Sequence, residues 1–567
     1  MTNKTTVELL KNHFDIALET LDGVKKLREL ILSLAMQGKL VKQDKKDQPA
    51  GELLKEIEGE KKRLIKDGEI KKLELLPQIK FEKIPFVIPM SWVWVRLGTV
   101  VTLLGDGIHG TPAYDDSGEY FFINGNNLAD GKIEIKENTK AISLEEYQKH
   151  KKKLTSRTVF VSINGTIGNV AFYNNEKVIL GKSACYFNLF DKIDKFFIKK
   201  LINSKYFLNY AFSSATGSTI KNVSLKAMRE FLFPLPPLAE QKRIVAKIDQ
   251  LMSLCDKLEA QRNERSDKRL KIHSAAINGL LSAPDKSTFN SSWNFITKNF
   301  NELYSVQDNV EELKKAILQL AVMGKLVKQD PKDQPASVLL KEIEAEKKRL
   351  VKEGKIRKQE PLPEIKPEEI PYEVPIGWLW ARLGMVGITQ TGTTPPKKDP
   401  SNEGNYIPFI GPGDISSFEI NYRNNGLSEN GLTNGRLIEK HSILMVCIGG
   451  SIGKTAINEI NIACNQQINT LTPFIKSSYR AIFYAVISPF FQQLILDFAG
   501  GSATPIINKQ KWCSIPIPLP PLAEQKRIVA KIDQLVSLCN SLEQDLKNSS
   551  DKQTAILNAV LAKICTN

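Results

Sequence analysis

No two of the seven cysteines (Cys185, Cys255, Cys447, Cys464, Cys513, Cys539 and Cys565) form a C-x-x-C pair, and an odd number cannot all pair off. A disulfide framework is therefore not expected, and a reducing cytoplasm is. Histidine is scarcer still. His13, His109, His150, His273 and His441 do not cluster with cysteines at zinc-ligand spacing, so no metal is expected. No apolar run approaches the roughly 20 residues that cross a bilayer. The opening MTNKTTVELLKNHF lacks the apolar core of a secretion signal. The expectation is a cytoplasmic protein with no membrane partner.

Catalytic signatures are missing as well. GGSIGKT (449–455) resembles a phosphate-binding loop, but that loop needs Gly, four residues, then Gly-Lys. Five places before Gly453 stands Ile448, so the spacing fails. A stand-alone DNA methyltransferase would carry an Asn/Asp-Pro-Pro-Tyr/Phe tetrapeptide, and NPP, DPP, PPY and PPF are all absent. No acidic-acidic-Lys nuclease site stands out either. The chain is expected to have no catalytic residue and to bind no cofactor itself.

What is present in excess is positive charge. Lys and Arg number 79 against 63 Asp and Glu, a formal net charge of +16, which suits a polyanionic partner. The 567 residues are too many for one core, while the 42% hydrophobic and 25% charged composition is ordinary for globular protein.

The chain is written twice. GKLVKQD occurs at 38–44 and 324–330, LLKEIE at 53–58 and 339–344, and EKKRL at 60–64 and 346–350. IPFVIPMSWVWVRLG (84–98) answers IPYEVPIGWLWARLG (370–384), all at an offset of 286. PLPPLAEQKRIVAKIDQL recurs unchanged at 234–251 and 518–535, an offset of 284. The segments between are much less alike, sharing only marks such as INGTIGNVA (163–171) with IGGSIGKTA (448–456) and TGSTIKNV (216–223) with GGSATPII (500–507). The predicted divisions are a helical scaffold at 1–89, a variable domain at 90–235, a coiled-coil helix at 236–285, a second scaffold at 286–375, a second variable domain at 376–519 and a closing helix at 520–567.

Each PLPP opens a helix, where proline's missing N–H costs nothing. Ile244, Ile248, Leu251, Cys255 and Leu258 step by four and three, as do Ile528, Ile532, Leu535, Cys539 and Leu542. This is a heptad seam. It is interrupted by Arg262, Arg265 and Arg269 and is expected to resume at Ile272 and Ala276, and at Ile556 and Val560. A helix over 237–281 is roughly 65 Å long at 1.5 Å per residue. Upstream, 24–40 and 310–326 read as amphipathic helices, and 53–68 and 339–354 as helices stopped by glycine. The variable segments read as strand and loop, with two strands around a glycine turn at 158–173 and 442–457. The predicted fold class is α+β: two mixed α/β globular domains joined by long antiparallel coiled-coil helices, with internal pseudo-two-fold symmetry.

This combination resembles the specificity subunits of Type I restriction–modification systems, across essentially the whole chain. The doubled PLPPLAEQKRIVAKID helix start is its most specific mark, and the doubled GKLVKQD…DQPA…LLKEIE scaffold resembles one subgroup. The resemblance implies that each variable segment is a target recognition domain reading one half of a split site in double-stranded DNA, while the paired helices set the gap. It further implies two methylation subunits, which carry S-adenosylmethionine, and motor-nuclease restriction subunits as partners. An adaptor with no nucleic acid would explain the helices but not two divergent polar domains at equivalent positions.

Base edges and phosphates are met by Arg, Lys, amide and hydroxyl side chains. In the first domain the candidates are His109, Thr111, Asn124, Asn126, Asn127, Asn164, Thr166, Lys182, Ser218, Thr219 and Lys221. In the second they are Thr391, Thr393, Thr394, Lys397, Lys398, Ser451, Lys454, Asn465, Gln466, Gln467, Ser502 and Thr504. His109 has no matching histidine in GTTPP, so the two half-sites should differ.

Overall fold

A computed structural model of the chain describes residues 22–71, 76–358, 360–396, 398–501 and 504–566, with side-chain burial described to residue 559. Two compact units account for it. The first takes the chain to Glu264 together with Ser549 onward, and the second takes Arg265–Asn548.

In the first unit, helices α1 (Gly23–Met36) and α2 (Ala50–Lys66) form the scaffold. α1 ends four residues before the expected stop. α2 stops as its glycine requires: Gly68 sits at φ 74°, its N–H on the Ile65 carbonyl and that of Glu69 on Leu64. The chain then enters strand β1 (Val93–Arg96), and it leaves the variable segment by β8 (Leu232–Leu235), which pairs antiparallel with β1. Between them β2 (Val101–Asp106), β3 (Tyr120–Ile123), β4 (Thr158–Ser162), β5 (Val170–Phe172), β6 (Val178–Leu180) and β7 (Ala184–Leu189) build two sheets. One is antiparallel in the order β2-β7-β4-β5, and the other sets β6 parallel to β3. β4 and β7 are buried along their whole length, which is why they read as apolar runs rather than alternations. Helices α3 (Lys195–Ile202) and α4 (Lys205–Ser214) follow.

The long helix α5 spans Leu238–Leu281, 44 residues. In the first unit Ile244, Ile248 and Cys255 are buried in one core with Val24 and Ile31 of α1 and Ile193 and Phe197 of the variable domain; Leu251 is packed against it. Arg28 of α1 pairs with Glu259 at 2.8 Å and Lys200 of α3 with Asp249 at 2.5 Å, fixing the helix from two sides.

The second unit is built the same way. α6 (Gln307–Val322) and α7 (Ala336–Lys352) repeat the scaffold, and β9 (Leu379–Arg382) pairs with β16 (Pro516–Leu519). β10 (Gly387–Thr391), β11 (Glu403–Ile410), β12 (Ile443–Val446), β13 (Thr455–Ile457), β14 (Ala463–Cys464) and β15 (Ile468–Pro473) lie between. Their antiparallel order, β10-β15-β12-β13, and the parallel β11–β14 pair match the first unit. Helices α8 (Tyr479–Val486) and α9 (Pro489–Phe498) precede the closing helix α10 (Leu522–Thr566). Ile528, Ile532 and Cys539 are buried in this unit's core, with Leu535 and Leu542 packed on it. Lys314 of α6 pairs with Glu543 at 2.7 Å and Arg480 of α8 with Asp533.

The heptad stripe marks an apolar face. Its first turns dock on the unit's own scaffold helix and variable domain, and Ile277 and Leu280 of α5 lie in one core with Ile528, Ile532 and Cys539 of α10. The phase of the stripe needs correction. Leu258 stays half exposed. Beyond the arginines the stripe resumes one residue later than a heptad count gives. Ile272 and Ile556 are 48% and 40% exposed, whereas His273, Ile277, Leu280 and Leu557 are buried. Cys255 to His273 and Cys539 to Leu557 are both 18 residues (273 minus 255, 557 minus 539), or five turns at 3.6 residues each. The buried face follows the straight-helix repeat, not the 3.5-residue repeat of a supercoil. Val560 lies outside the described side chains. Arg269 leaves the apolar face to pair with Glu302, and His273 meets the Tyr304 hydroxyl at 3.1 Å.

Among the described residues no single helix is long and apolar enough to cross a membrane, and no group of three or more His, Cys, Asp or Glu is placed to hold a metal ion. Among the residues whose side chains are described, six cysteines are free and buried. Burial pushes the thiols of Cys185 and Cys464 up to about 12, so both stay protonated at neutral pH.

Candidate nucleic-acid interface

In each unit five loops are laced together by backbone hydrogen bonds at one rim of the variable domain. In the first, Ile108 N–H donates to the Leu180 carbonyl at 2.8 Å and Lys182 N–H returns to Ile108 at 3.1 Å. Gly181 N–H reaches Ile123, Ile163 N–H reaches Ser183, and Gly165 N–H reaches Lys221. The second domain uses the same lacing. Thr393 donates to Cys464, Asn465 to Ile410, Cys447 to Gln467 and Gly449 to Pro505, at 2.8 to 3.1 Å. Backbone bonds do not depend on side chains, so one frame holds two different side-chain sets.

A shared close approach sets the frame. A Cβ on Gly107 would lie 2.1 Å from the Leu180 carbonyl oxygen, and one on Gly392 would lie 2.1 Å from that of Asn465. Only glycine permits either contact. The turn after the central strand differs by one residue. Gly168 N–H closes on Ser162, and Gly453 N–H closes on Val446. The second turn is longer, and Ile163 therefore corresponds to Cys447, not to Ile448 as the matching strings suggest.

Most of the candidate residues converge on these rims. His109, Asn126, Thr166, Lys182, Ser218, Thr219 and Lys221 are exposed on the first, with Thr111 on the adjoining loop, and Asn124 and Asn164 are half buried there. Nε2 of His109 is 2.8 Å from Oδ2 of Asp106. On the second, Lys454, Gln466 and Thr504 are exposed and Thr393, Thr394, Ser451, Asn465 and Gln467 half buried. Lys398 is exposed on the loop after Thr394. Lys397 and Ser502 lie outside the described residues.

Two candidates have structural work instead. Asn127 is 4% exposed: its Oδ1 accepts the Asn124 N–H, and its Nδ2 donates to the Glu134 carbonyl and to Thr139 Oγ1. Asp414 makes the same backbone bond in the second domain, where it accepts from Gly411. Every polar atom of Asn127 is thus committed to the turn, and Asn127 is withdrawn as a DNA contact. Thr391 donates its hydroxyl to Asn469 Oδ1 at 2.8 Å, inside the sheet end.

Other rim residues carry no sequence motif. Arg436, in GLTNGRL, is exposed and donates to the Thr391 carbonyl at 2.6 Å, which brings a cation to the second rim. Ser183 accepts from Gly125 N–H at 2.8 Å and donates to Asn124 Oδ1 at 2.9 Å. The first belongs to no repeated string, and the second sits one place past the chosen Lys182.

The family model described as "Type I restriction modification DNA specificity domain" matches residues 89–265 and 375–549, once in each half. The chain is 32% identical to the Type I restriction enzyme EcoAI specificity subunit of Escherichia coli, over 95% of this chain and 93% of that one. It is 31% identical to the EcoEI specificity subunit of the same organism, over 98% of both. A chain solved in work on assembly and conformational transition of the type I R-M system aligns at 20% identity and TM-score 0.48, over 85% of this chain and 99% of that chain. With two matched domains and whole-chain relatives, this chain belongs to the Type I restriction–modification specificity subunits and serves DNA sequence specificity.

Proposed function

We propose that each recognition rim reads one half of an asymmetric, two-part site in double-stranded DNA and that the long helices fix the interval between the halves. The single observation behind this is one backbone frame, built twice, carrying two different sets of polar and cationic side chains. The net positive charge adds phosphate attraction, so binding should weaken steeply with salt. On this reading the chain itself is not catalytic and binds no cofactor. Two methylation subunits dock on its helical parts and bring S-adenosylmethionine, motor-nuclease subunits join for restriction, and the complex works in the cytoplasm.

The test maps methylated adenines in cells that carry the chain with its methylation subunits. Residues 376–519 are replaced by the equivalent segment of a relative. One half of the methylated motif should change while the other half stays. Simultaneous change of both halves would overturn the one-domain, one-half-site reading.

A further inference from the structure

An amide side chain offers one acceptor and one donor, and adenine is read in the major groove when both face the base side by side. At both rims the acceptor is turned inward. In the first domain Asn124 Oδ1 receives the Ser183 hydroxyl proton at 2.9 Å. The same Ser183 Oγ accepts the Gly125 N–H, so the hydroxyl ties the turn at 125 to the Asn124 amide. The oxygen lies over Gly181, where a Cβ would come within 2.3 Å of it, so the absence of a side chain at 181 makes room for this orientation. What Asn124 turns outward is Nδ2, a donor alone.

The second domain reaches the same state by other residues. Gly411 occupies the place of Asn124, as the shared backbone bond to Asp414 and Asn127 shows, so that position has no amide. Gln466 supplies one instead, in the strand-end loop where the first domain has Lys182. Its Oε1 accepts the Thr394 hydroxyl. The next residue, Gln467, has its Oε1 capped by Asn465 Nδ2 at 3.2 Å. Both glutamines therefore present NH2 groups.

We propose that Asn124 and Gln466 each read a base that offers two adjacent acceptors and no donor at its major-groove edge, namely guanine through O6 and N7, where thymine offers O4 alone beside its methyl group, and that Ser183 and Thr394 are the positioning residues that exclude the two-pronged adenine contact. This rests on the proposed assignment of the rims to DNA. It deepens that assignment to a particular base chemistry at one position in each half-site.

The experiment uses the chain assembled with its cognate methylation subunits. Methylated motifs are mapped in cells, and the same complexes are tested in competition binding against duplexes carrying each of the four base pairs at every motif position. Asn124→Ala should relax one position in the first domain's half-site, and that position should be guanine in the parent motif. Discrimination there should fall about tenfold or more, the size expected for loss of one two-pronged contact. Gln466→Ala should do the same in the other half. Ser183→Ala should admit adenine beside guanine at the Asn124 position, because the freed amide can rotate. Ser183→Thr keeps the hydroxyl and should restore guanine.

Binding competition also reads variants that no longer methylate. Equal loss of affinity for all four base pairs would make Asn124 structural and overturn the proposal. An adenine at the relaxed position, or no relaxation in either variant, would overturn it too. Relaxation by Asn124→Ala within the half-site that exchange of 376–519 controls would instead refute the assignment of domains to half-sites.

Discussion

Trp378 donates its indole N–H to a carboxylate oxygen of Glu524 at 2.9 Å, and Trp92 makes the same bond to Glu240 at 3.0 Å. Gln329 and Gln43 donate to the other oxygen of each carboxylate. Three repeated strings meet here: GKLVKQD supplies the glutamine, the WVW or WLW string the tryptophan just before its strand, and PLPPLAEQKR the glutamate. Arg243 and Arg527 add forked pairs to Asp47 and Asp333 from the same segments. The unchanged strings are therefore the joint between scaffold, strand and long helix.

Glu240→Ala would leave the buried Trp92 indole N–H without its partner, while the exposed Gln43 keeps the Gly38 carbonyl. An orphaned buried donor costs about 1–3 kcal/mol. The expected readout is a fall in Tm of roughly 2–12 °C for the affected unit, with Glu524→Ala acting on the other. An unchanged Tm in both variants would show that the joint is dispensable.

Acid should act on the second unit first. Arg382, 4% exposed at its side chain, forks onto Glu369 at 2.7 and 2.8 Å. The arginine and the Lys366 N–H hold the Glu369 carboxyl down to about 2. A carboxyl held below its unfolded value stabilises the fold above that value, and the contribution is lost as pH falls through about 4.5 towards 2. At the equivalent place in the first unit stands Lys83, and among the described residues Arg96 bonds to the carbonyls of Pro77 and Glu230. Glu369→Gln should cost about 1–2 kcal/mol at pH 7. The gap between parent and variant in denaturant unfolding should close between pH 5 and 2. A gap that persists at pH 2 would mean that the pair's charge contributes nothing.

Ile248 is fully buried in the first unit's core. Ile248→Asp places an unpaired charge among apolar side chains, at a cost of several kcal/mol. Loss of soluble protein is expected, whereas Leu258→Asp, on a half-exposed site, should express and assemble. Normal stability of Ile248→Asp would contradict the burial.

The architecture was legible because repetition and periodicity survive in sequence. The helices that end at glycine, the strand pairs at 158–173 and 442–457, and the two long helices all stand where the patterns put them. Partner choice was not legible. A stripe such as Ile244–Ile248–Cys255 states that one face is apolar, and only three-dimensional packing decides that α1 and the recognition domain cover it. The phase beyond the arginines failed for a related reason: a heptad extrapolated across 18 residues drifts by about half of one position from 3.6-residue geometry, enough to hand the buried place to the next residue. At the rim, polarity identified the loops but not the function of each amide. Asn126 and Asn127 are neighbours of one type, yet the first is exposed and the second is consumed by its own turn. Arg436 reaches the rim across the fold from a stretch that no repeat marks.

The glycines at the rim give a test confined to one domain. Around Gly107 the obstructing atoms are backbone, the carbonyl oxygens of Leu180 and Gly181 at 2.1 and 2.3 Å from a built Cβ. No side chain can swing aside, so Gly107→Ala must push β2's end from the β6–β7 connection. The Ile108–Leu180 and Lys182–Ile108 hydrogen bonds that lace the two loops would separate. Asn124 and Lys182 would then lose their relative position, although the sheet core beneath is untouched. Overpacking of this kind costs about 1–3 kcal/mol, too little to unfold a unit with its own large core. The variant should therefore assemble and keep salt-sensitive, sequence-independent DNA affinity. Methylation mapping should show the first domain's half-site degraded and the second's intact, and Gly392→Ala should produce the mirror result. If Gly107→Ala retained the full parent motif at full occupancy, the laced rim would not be the reading surface, and recognition would have to come from another face of the domain.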